Sequence, residues 1–378
     1  MHPRDRHAEI AGAGLAGVTA AALLAQRGWS VRVHERGSEL REIGAGIFMW
    51  ENGLRVLEEI GAFDEATRRA ELIQNWRLFD ERRRLIQGAW MKDSTVRLYT
   101  VLRTDLHRAL VNAAESAGVQ FVTGSEVVSA SRDGQLTTIS GQRWRGDLVI
   151  GADGVNSKVR DTLGLRESVT DLHDGCGRHL IARRATDPVE QTLEYWNGAR
   201  RVGIVPCAPD QVYVYLCCPE DDLAGRAKPL DKRSWIGSFP HLADVIDRID
   251  DVGRWASFSD SVSTSWRVGH GCILGDAAHA MSPNLGQGAC VAMANARSLA
   301  HALDAGYDIP RALEIWERSE RPTTDRTQRY SRIYGRVGTS WPRPLLSVRS
   351  ALFFAAGRSR RWQRHVNVAA VRESPLVR

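Results

Sequence analysis

The first residues in the chain able to do chemistry are Gly12-Ala-Gly14-Leu-Ala-Gly17, with Glu35 further on. A glycine at the first of these positions permits a tight turn, one at the second lets a phosphate approach the backbone, and one at the third lets a helix pack closely on a strand. An acid at the end of the following strand is placed to accept hydrogen bonds from ribose hydroxyls. The elements that must hold such a cluster are legible around it. Ala8–Ala11 is a short apolar run that reads as a strand, small residues continue in a helical pattern to Arg27-Gly28, and Ser30–His34 reads as a second strand ending at Glu35. A helix opening after Gly14 turns free N–H groups and a partial positive charge toward a pyrophosphate. The arrangement predicts dinucleotide binding; the alternative is a glycine-rich connection in some other α/β protein.

NAD and FAD share this turn, so the choice between them rests on later residues. A second glycine-rich turn, Leu40-Arg41-Glu-Ile-Gly44-Ala-Gly46, suits a long cofactor lying across the domain, with Arg36 and Arg41 near its phosphates. Asp147-Leu-Val-Ile-Gly151-Ala-Asp153-Gly154 is an apolar strand running into a Gly/Asp turn, followed by Ser157-Lys-Val-Arg160. Gly271-Cys-Ile-Leu-Gly275-Asp276 repeats the form and continues through His279 and Pro283 to Gly286-Gln-Gly288 and a helix with Ala289, Ala292 and Ala296 on one face. A carboxylate at the end of a parallel strand faces the ligand crevice, so Asp276 is placed to accept from a polyol such as a ribityl chain. A helix starting near Gly286–Gly288 aims its positive end at an anion there, which suits a reduced flavin.

In order and spacing these three motifs resemble the single-component, FAD-dependent aromatic-ring hydroxylases of the p-hydroxybenzoate hydroxylase type. Within them the chain is most similar to the pyridine-ring oxygenases that act on hydroxypyridine carboxylates, through the segments Gly44–Glu58 and Gly275–Pro283. The resemblance covers roughly residues 7 to 330. It implies that Gly12, Gly14, Gly17 and Glu35 hold the ADP part of FAD and that Arg103 contacts the cofactor. It likewise implies that Asp153 serves both FAD and the nicotinamide donor, that Asp276 binds the ribityl chain, and that Pro283 lies beside the flavin ring. The implied cofactors are non-covalent FAD and, as transient reductant, NADH or NADPH. One G-x-G-x-x-G leaves the nicotinamide donor no fold of its own, which argues against two-domain Baeyer–Villiger enzymes, and no W-x-W-x-I-P segment of a halogenase is present.

The segment from about Leu172 to Trp266 has a different texture. Arg201–Val205 and Gln211–Cys217 alternate and are separated by the Cys207-Ala-Pro-Asp210 turn, which predicts a β-hairpin with Tyr213 and Tyr215 on one face and Val212, Val214 and Leu216 on the other. In the pyridine-ring group an arginine and a tyrosine of this hairpin contact substrate, and Arg201 and Tyr213 match them. Arginine suits a bidentate carboxylate contact; the alternative is a sheet-edge arginine and a core tyrosine. Met49 and Trp50 are expected to approach the same site. Asn75-Trp-Arg-Leu-Phe79 resembles the region of a second substrate contact, without that region's tyrosine.

The fold expected is α/β: a Rossmann-type FAD-binding domain interrupted by a mostly antiparallel β-sheet substrate domain, with C-terminal helices. The cofactor domain is assigned residues 1–72, 100–172 and 265–330, the substrate domain 73–99 and 173–264, and a helical extension 331–378, which would cap the FAD domain or contact another subunit. The 51 basic and 45 acidic residues give +6, which invites a nucleic-acid reading, but only four of the basic residues are lysine and the arginines are scattered. Surface arginine and an acidic substrate account for it better. No apolar run is long enough for a membrane helix, the N-terminal residues do not read as a leader, and six cysteines without a C-x-x-C pair read as thiols of a cytoplasmic protein. There is no metal-ligand spacing and no nucleophile elbow. The function so implied is a monooxygenase using NAD(P)H, O2 and a C4a-hydroperoxyflavin to hydroxylate, with or without ring opening, an aromatic or heteroaromatic acid such as a hydroxypyridine carboxylate. Alternatives are a salicylate- or 6-hydroxynicotinate-type hydroxylase, a natural-product tailoring hydroxylase, and a flavin dehydrogenase that does not oxygenate. The chain is expected as monomer or homodimer, without nucleic-acid or membrane partners.

Overall fold

Parallel strands buried on both faces read as continuous apolar runs, and two of the three motif strands do so. The computed structural model describes residues 6–40, 44–90, 96–250 and 254–377. In it a six-stranded sheet runs in the order Arg267–Val268, Gly271–Ile273, Leu148–Gly151, His7–Ala11, Ser30–His34 and Gln120–Val122. All neighbours are parallel except the Arg267–Val268 edge strand. His7–Ala11 lies between Leu148–Gly151 and Ser30–His34, and Leu148–Gly151 is flanked by Gly271–Ile273. Three distant motifs therefore end at the same edge of one sheet. Helices Leu15–Gln26, Arg103–Ser116 and Gly288–Asp304 pack together beside it, and Ile10, Val18, Leu23, Leu106 and Met293 are buried in a shared core.

A seven-stranded sheet forms the second layer, in the order Arg254–Ser263, Arg166–Ala182, Gln211–Pro219, Arg200–Ala208, Gln191–Asn197, Asn75–Phe79 and Leu85–Trp90. Its pairs are antiparallel except Gln191–Asn197 with Asn75–Phe79. The hairpin forms with Arg201 opposite Cys217 and Val205 opposite Tyr213. One face carries Val202, Ile204, Val212, Val214 and Leu216 into a core closed by Trp235, Phe239 and Ile246. The other face, bearing Tyr213, Tyr215 and Arg201, turns toward the cofactor sheet, as strand alternation requires.

Two expectations need correction. The Arg166–Ala182 strand runs through the expected 172/173 boundary, and the Ile309–Thr339 helix runs through the expected 330/331 boundary with Pro322 inside it. The C-terminal helices also do not cap the cofactor layer alone. Leu346–Arg358 packs on the Leu85–Trp90 strand of the second sheet, and Arg349 donates to the Gly198 carbonyl at 2.9 Å, while Val368–Val371 packs on the Glu51–Ile60 helix. An antiparallel sheet with one apolar face can leave the other in water, but here Arg201 and Tyr213 on the second face are buried and the long helix covers part of it.

Candidate active site

The turn after His7–Ala11 is shaped for a ligand to approach. Gly12 adopts φ +100°, and a Cβ on it would stand 2.4 Å from the Ala152 carbonyl oxygen; one on Gly17 would stand 2.1 Å from the Gly12 carbonyl oxygen. Gly14 is the N-cap of the Leu15–Gln26 helix and makes no side-chain hydrogen bond to its first amides. Glu35 accepts from the Ala13 N–H at 3.0 Å and the Gly37 N–H at 2.8 Å. A carboxylate offers about four lone-pair sites, so this one is fixed in place with capacity left for ribose hydroxyls. Arg36 is exposed at the rim, and Arg41 lies outside the described residues.

Asp153 holds its own turn. Ser157 Oγ donates to Oδ1 at 2.5 Å, and the Lys158 and Val159 N–H groups donate to Oδ2 at 2.8 and 3.2 Å. Arg160, fully buried, links this turn to the next motif by donating to the Ala277 carbonyl at 3.2 Å. Asp276 is exposed at the end of Gly271–Ile273, and Gly275 before it packs on Ala16, where a Cβ would meet the alanine methyl at 2.8 Å. Arg103 opens the Arg103–Ser116 helix with its N–H on the Ala45 carbonyl at 2.9 Å and its side chain across Gly44. Gly286, at φ +61°, lies on Phe48, and Gly288 opens the Gly288–Asp304 helix; Pro283 begins the short turn before it, exposed. Backbone amides, small-residue approaches and paired carboxylates along one sheet edge fit an extended dinucleotide.

Above this cradle the two layers touch. A Cβ on Gly46 would fall 2.8 Å from Tyr213 Cδ1, so the tyrosine ring lies directly on the glycine strand. Burial pushes the Tyr213 hydroxyl upward in pKa, and the Arg178 guanidinium interacts with it. Farther along the same face the buried Glu194 accepts from Trp196 Nε1 at 2.6 Å and from the Tyr215 hydroxyl at 2.9 Å, with the Tyr334 hydroxyl of the long helix at 3.5 Å.

Two sequence expectations are displaced. Met49, expected at the substrate, is fully buried against Cys290, whose Sγ is 3.9 Å from its Sδ. Side chains alternate along Gly46–Trp50, so Phe48 and Trp50 take the other side. Trp50 Nε1 donates to the Gly286 carbonyl at 3.0 Å. Arg201 is only 2% exposed and lies beneath Gly338 of the long helix, whose added Cβ would meet Arg201 Cδ at 3.2 Å. Its nearest carboxylate, Asp174, is 3.9 Å away, and burial raises that carboxyl to about 6 against the pull of Arg201. His279 is buried on Trp266 with Nε2 3.1 Å from Asn295 Nδ2, and burial lowers its pKa to about 4, the state of a packed neutral imidazole.

Beside the cradle lies a cavity of about 250 Å³. Trp50, Asn284 and Leu285 form its inner end next to Pro283, and Trp76 adjoins them, stacked on Trp50 with ring centroids 6.4 Å apart. Its outer wall comes from Tyr330, Tyr334, Val337 and Trp341 of the long helix and its end, and from Leu352, Phe353 and Trp362 beyond. Sequence reading missed this wall, although Tyr330, Tyr334, Val337 and Trp341 recur at the helical spacing that was its signal.

A dinucleotide cradle under a polar sheet face, with an aromatic cavity leading in, suits an oxidoreductase that works through a bound dinucleotide. Residues 6–323 match the family model described as FAD binding domain, and the chain belongs to that family. It is 38% identical, over 94% of its length and 95% of the relative's, to a 2-heptyl-3-hydroxy-4(1H)-quinolone synthase of Mycobacteroides abscessus. A 6-hydroxynicotinate 3-monooxygenase of Bordetella bronchiseptica is 28% identical over 88% of this chain and 91% of that one. The tetrameric form of 2-methyl-3-hydroxypyridine-5-carboxylic acid oxygenase superposes with a TM-score of 0.86 at 34% identity, covering 99% of each chain. The chain is thus a flavoprotein of the aromatic monooxygenase group, with FAD as its cofactor.

Proposed function

We propose that the protein hydroxylates an oxygen-substituted N-heteroaromatic ring bearing an apolar side chain, of the alkyl-4-quinolone kind, with NADH or NADPH and O2. The observation that carries this reading is the aromatic-lined cavity that begins at Trp50, Asn284 and Leu285 and runs outward for about 250 Å³. Its wall is mainly aromatic and aliphatic, which suits an alkyl side chain. The likeness to the quinolone synthase supports the reading, and the pyridine-ring oxygenase supports the ring chemistry.

Gly12, Gly14, Gly17, Glu35 and Arg103 hold the cofactor, with Asp153, Asp276 and the Gly286–Gly288 turn along its length and Arg36 near its phosphates. When bound, FAD supplies the redox chemistry by which NAD(P)H and O2 yield hydroxylated product and water. The protein orients and dries the ring. Tyr213, seated on Gly46, and Arg178 offer a hydroxyl and a cation to the ring's oxygen substituent, while Trp50 and Trp76 line the space for its apolar part. Tyr213 donates from its neutral form, since burial holds its hydroxyl above the ordinary range. Exclusion of water by the aromatic wall keeps oxygen transfer directed at the ring.

A second reading has one observation in its favour. Arg201 Nε and Nη2 are buried without hydrogen-bond partners among the described residues, donors that a carboxylate reaching under the long helix would satisfy. One screen separates the two: stimulated NAD(P)H oxidation and ¹⁸O incorporation with 2-alkyl-4-quinolones against hydroxypyridine and hydroxybenzoate carboxylates. Label in a quinolone product supports the first reading. Turnover confined to acids, with KM raised by Arg201→Ala and FAD content unchanged, replaces it with the second. Absence of label in any product points to a flavin dehydrogenase.

A further inference from the structure

The positive charge of the chain is not spread over it. Residues 341–378 contain eight arginines, no lysine and a single acid, Glu373, whereas the other 340 residues hold 43 basic and 44 acidic side chains. The whole excess belongs to the C-terminal helices.

Those helices also turn a cluster of apolar side chains to water. Leu346–Arg358 turns Arg349 and Ser350 inward and leaves Val348 49%, Leu352 55% and Phe354 47% exposed. Leu345 precedes them and Trp362 follows on Arg360–Val366, both also exposed. Around this patch stand Arg343, Arg358, Arg361 and Arg364, all exposed. None of the four forms an ion pair among the described residues; Arg358 lies over the Phe354 ring at 3.8 Å. A helix meant for water would carry polar residues on this sector. Leu352 and Trp362 belong to the cavity wall as well, so the cavity opens onto the same patch.

We propose that this face docks on an anionic lipid surface, with the apolar residues at the acyl boundary and the arginines among the headgroups, and that apolar substrate enters the cavity from there. The combination is what interfacial helices use: apolar area and basic charge acting together. A second copy of the chain is a poorer occupant, because a self-complementary contact would set two arginine-rich patches against each other. Nucleic acid would use the charge but leave the apolar patch in water. No helix among the described residues is long and apolar enough to cross a bilayer, so docking is peripheral.

The test uses the full chain loaded with FAD and flotation with vesicles of phosphatidylcholine alone or with phosphatidylglycerol. Binding is expected only with phosphatidylglycerol, weakening as salt is raised. Arg361→Gln with Arg364→Gln should lower the partition coefficient roughly thirtyfold, from the affinity that two basic residues gain at an anionic surface. Val348→Asp should weaken binding at every salt concentration. Neither change touches the cavity wall, and retained FAD content with an unaltered melting temperature shows that the fold is intact. Equal flotation with both vesicle types, none with either, or a salt-stable dimer that the same variants dissociate would each overturn docking. Docking is read without turnover and so stands apart from the substrate reading. Loading rests on that reading and is measured separately. The double arginine variant should be slowed severalfold on a heptyl-quinolone presented in vesicles and unchanged on a dissolved methyl analogue; equal rates on both overturn it.

Discussion

If the cavity takes a substrate's side chain, catalytic efficiency must climb with the length of that chain and then stop. A methylene fills about as much space as a water molecule, about 30 Å³, so a cavity of about 250 Å³ holds on the order of eight carbons. Each methylene moved from water into an apolar wall gains about 0.8 kcal/mol, and ordering the chain returns part of that. A net gain of roughly twofold to fourfold in kcat/KM per carbon follows, up to about eight carbons, and none beyond. The perturbation is twofold: a series of 2-alkyl-4-quinolones from methyl to undecyl, and the cavity-blocking change Ala356→Trp. Ala356 faces the cavity from Leu346–Arg358 and is half-buried, so an indole there enters the space instead of the core. Initial rates of NAD(P)H oxidation, matched to product formed, give kcat/KM for each pair. The variant should lose most of the gain for heptyl and longer chains while treating the methyl compound as the parent enzyme does. A flat series, or an Ala356→Trp penalty as large for methyl as for heptyl, would refute the assignment of the cavity.

Other outcomes follow from the same geometry. Gly46→Ala must displace the Tyr213 ring, since the new methyl would stand 2.8 Å from it, and should cost tenfold or more in kcat/KM, as a rough figure for a misplaced contact, with FAD still bound on gel filtration. Asp276→Ala should weaken FAD retention, read as loss of the yellow absorbance on dilution and dialysis. Burial works to raise Glu59, but hydrogen bonds from Arg27 and Arg297 outweigh it and hold the carboxyl at about 2, below its ordinary 4.5. Its stabilisation is therefore full above about pH 4.5 and lost as pH falls toward 2, so Glu59→Gln should cost about 2–3 kcal/mol in urea unfolding at pH 7 and progressively less in acid. Asp174 works in the opposite sense. Its carboxyl is raised to about 6 by burial, so the stability it allows at low pH is lost as pH rises through 6, and Asp174→Asn should unfold at higher urea than the parent above pH 6 and equally at pH 4. An unchanged midpoint at pH 7.5 would contradict that.

The parts of this molecule that were legible in its sequence are those that act through backbone. Gly12, Gly17 and the two Gly-Asp turns announce themselves because a helix packed on a strand, or a phosphate set against an amide, leaves no room for a Cβ. The hairpin was legible because strand alternation separates Tyr213 from Val214 without knowledge of anything else. Met49 and Trp50 show where this stops. Alternation says that they point apart, but which of them lines the cavity depends on Cys290, 241 residues beyond Met49, which packs on the Met49 side. Arg201 has the residue type and strand that the resemblance implies, yet whether its guanidinium meets a substrate or a helix is decided by Gly338, which no local pattern links to it.

The cavity sharpens the same point. Its inner end is made by Trp50, Trp76 and the Asn284-Leu285 turn, and its outer wall by residues from Tyr330 to Trp362, so four separate stretches of chain must assemble before it exists. The cofactor contributes little to that variation, since one dinucleotide is held by one set of backbone turns throughout such enzymes. A substrate wall built from side chains of a C-terminal cap can change with few constraints from the cradle below. A likeness spread over the whole chain therefore informs on FAD more strongly than on the ring to be oxidised. The mainly apolar wall suits the alkylated ring proposed above. Arg343, Arg358, Arg361 and Arg364, exposed near the cavity and without carboxylate partners among the described residues, are the feature of the tail that the proposed docking would use.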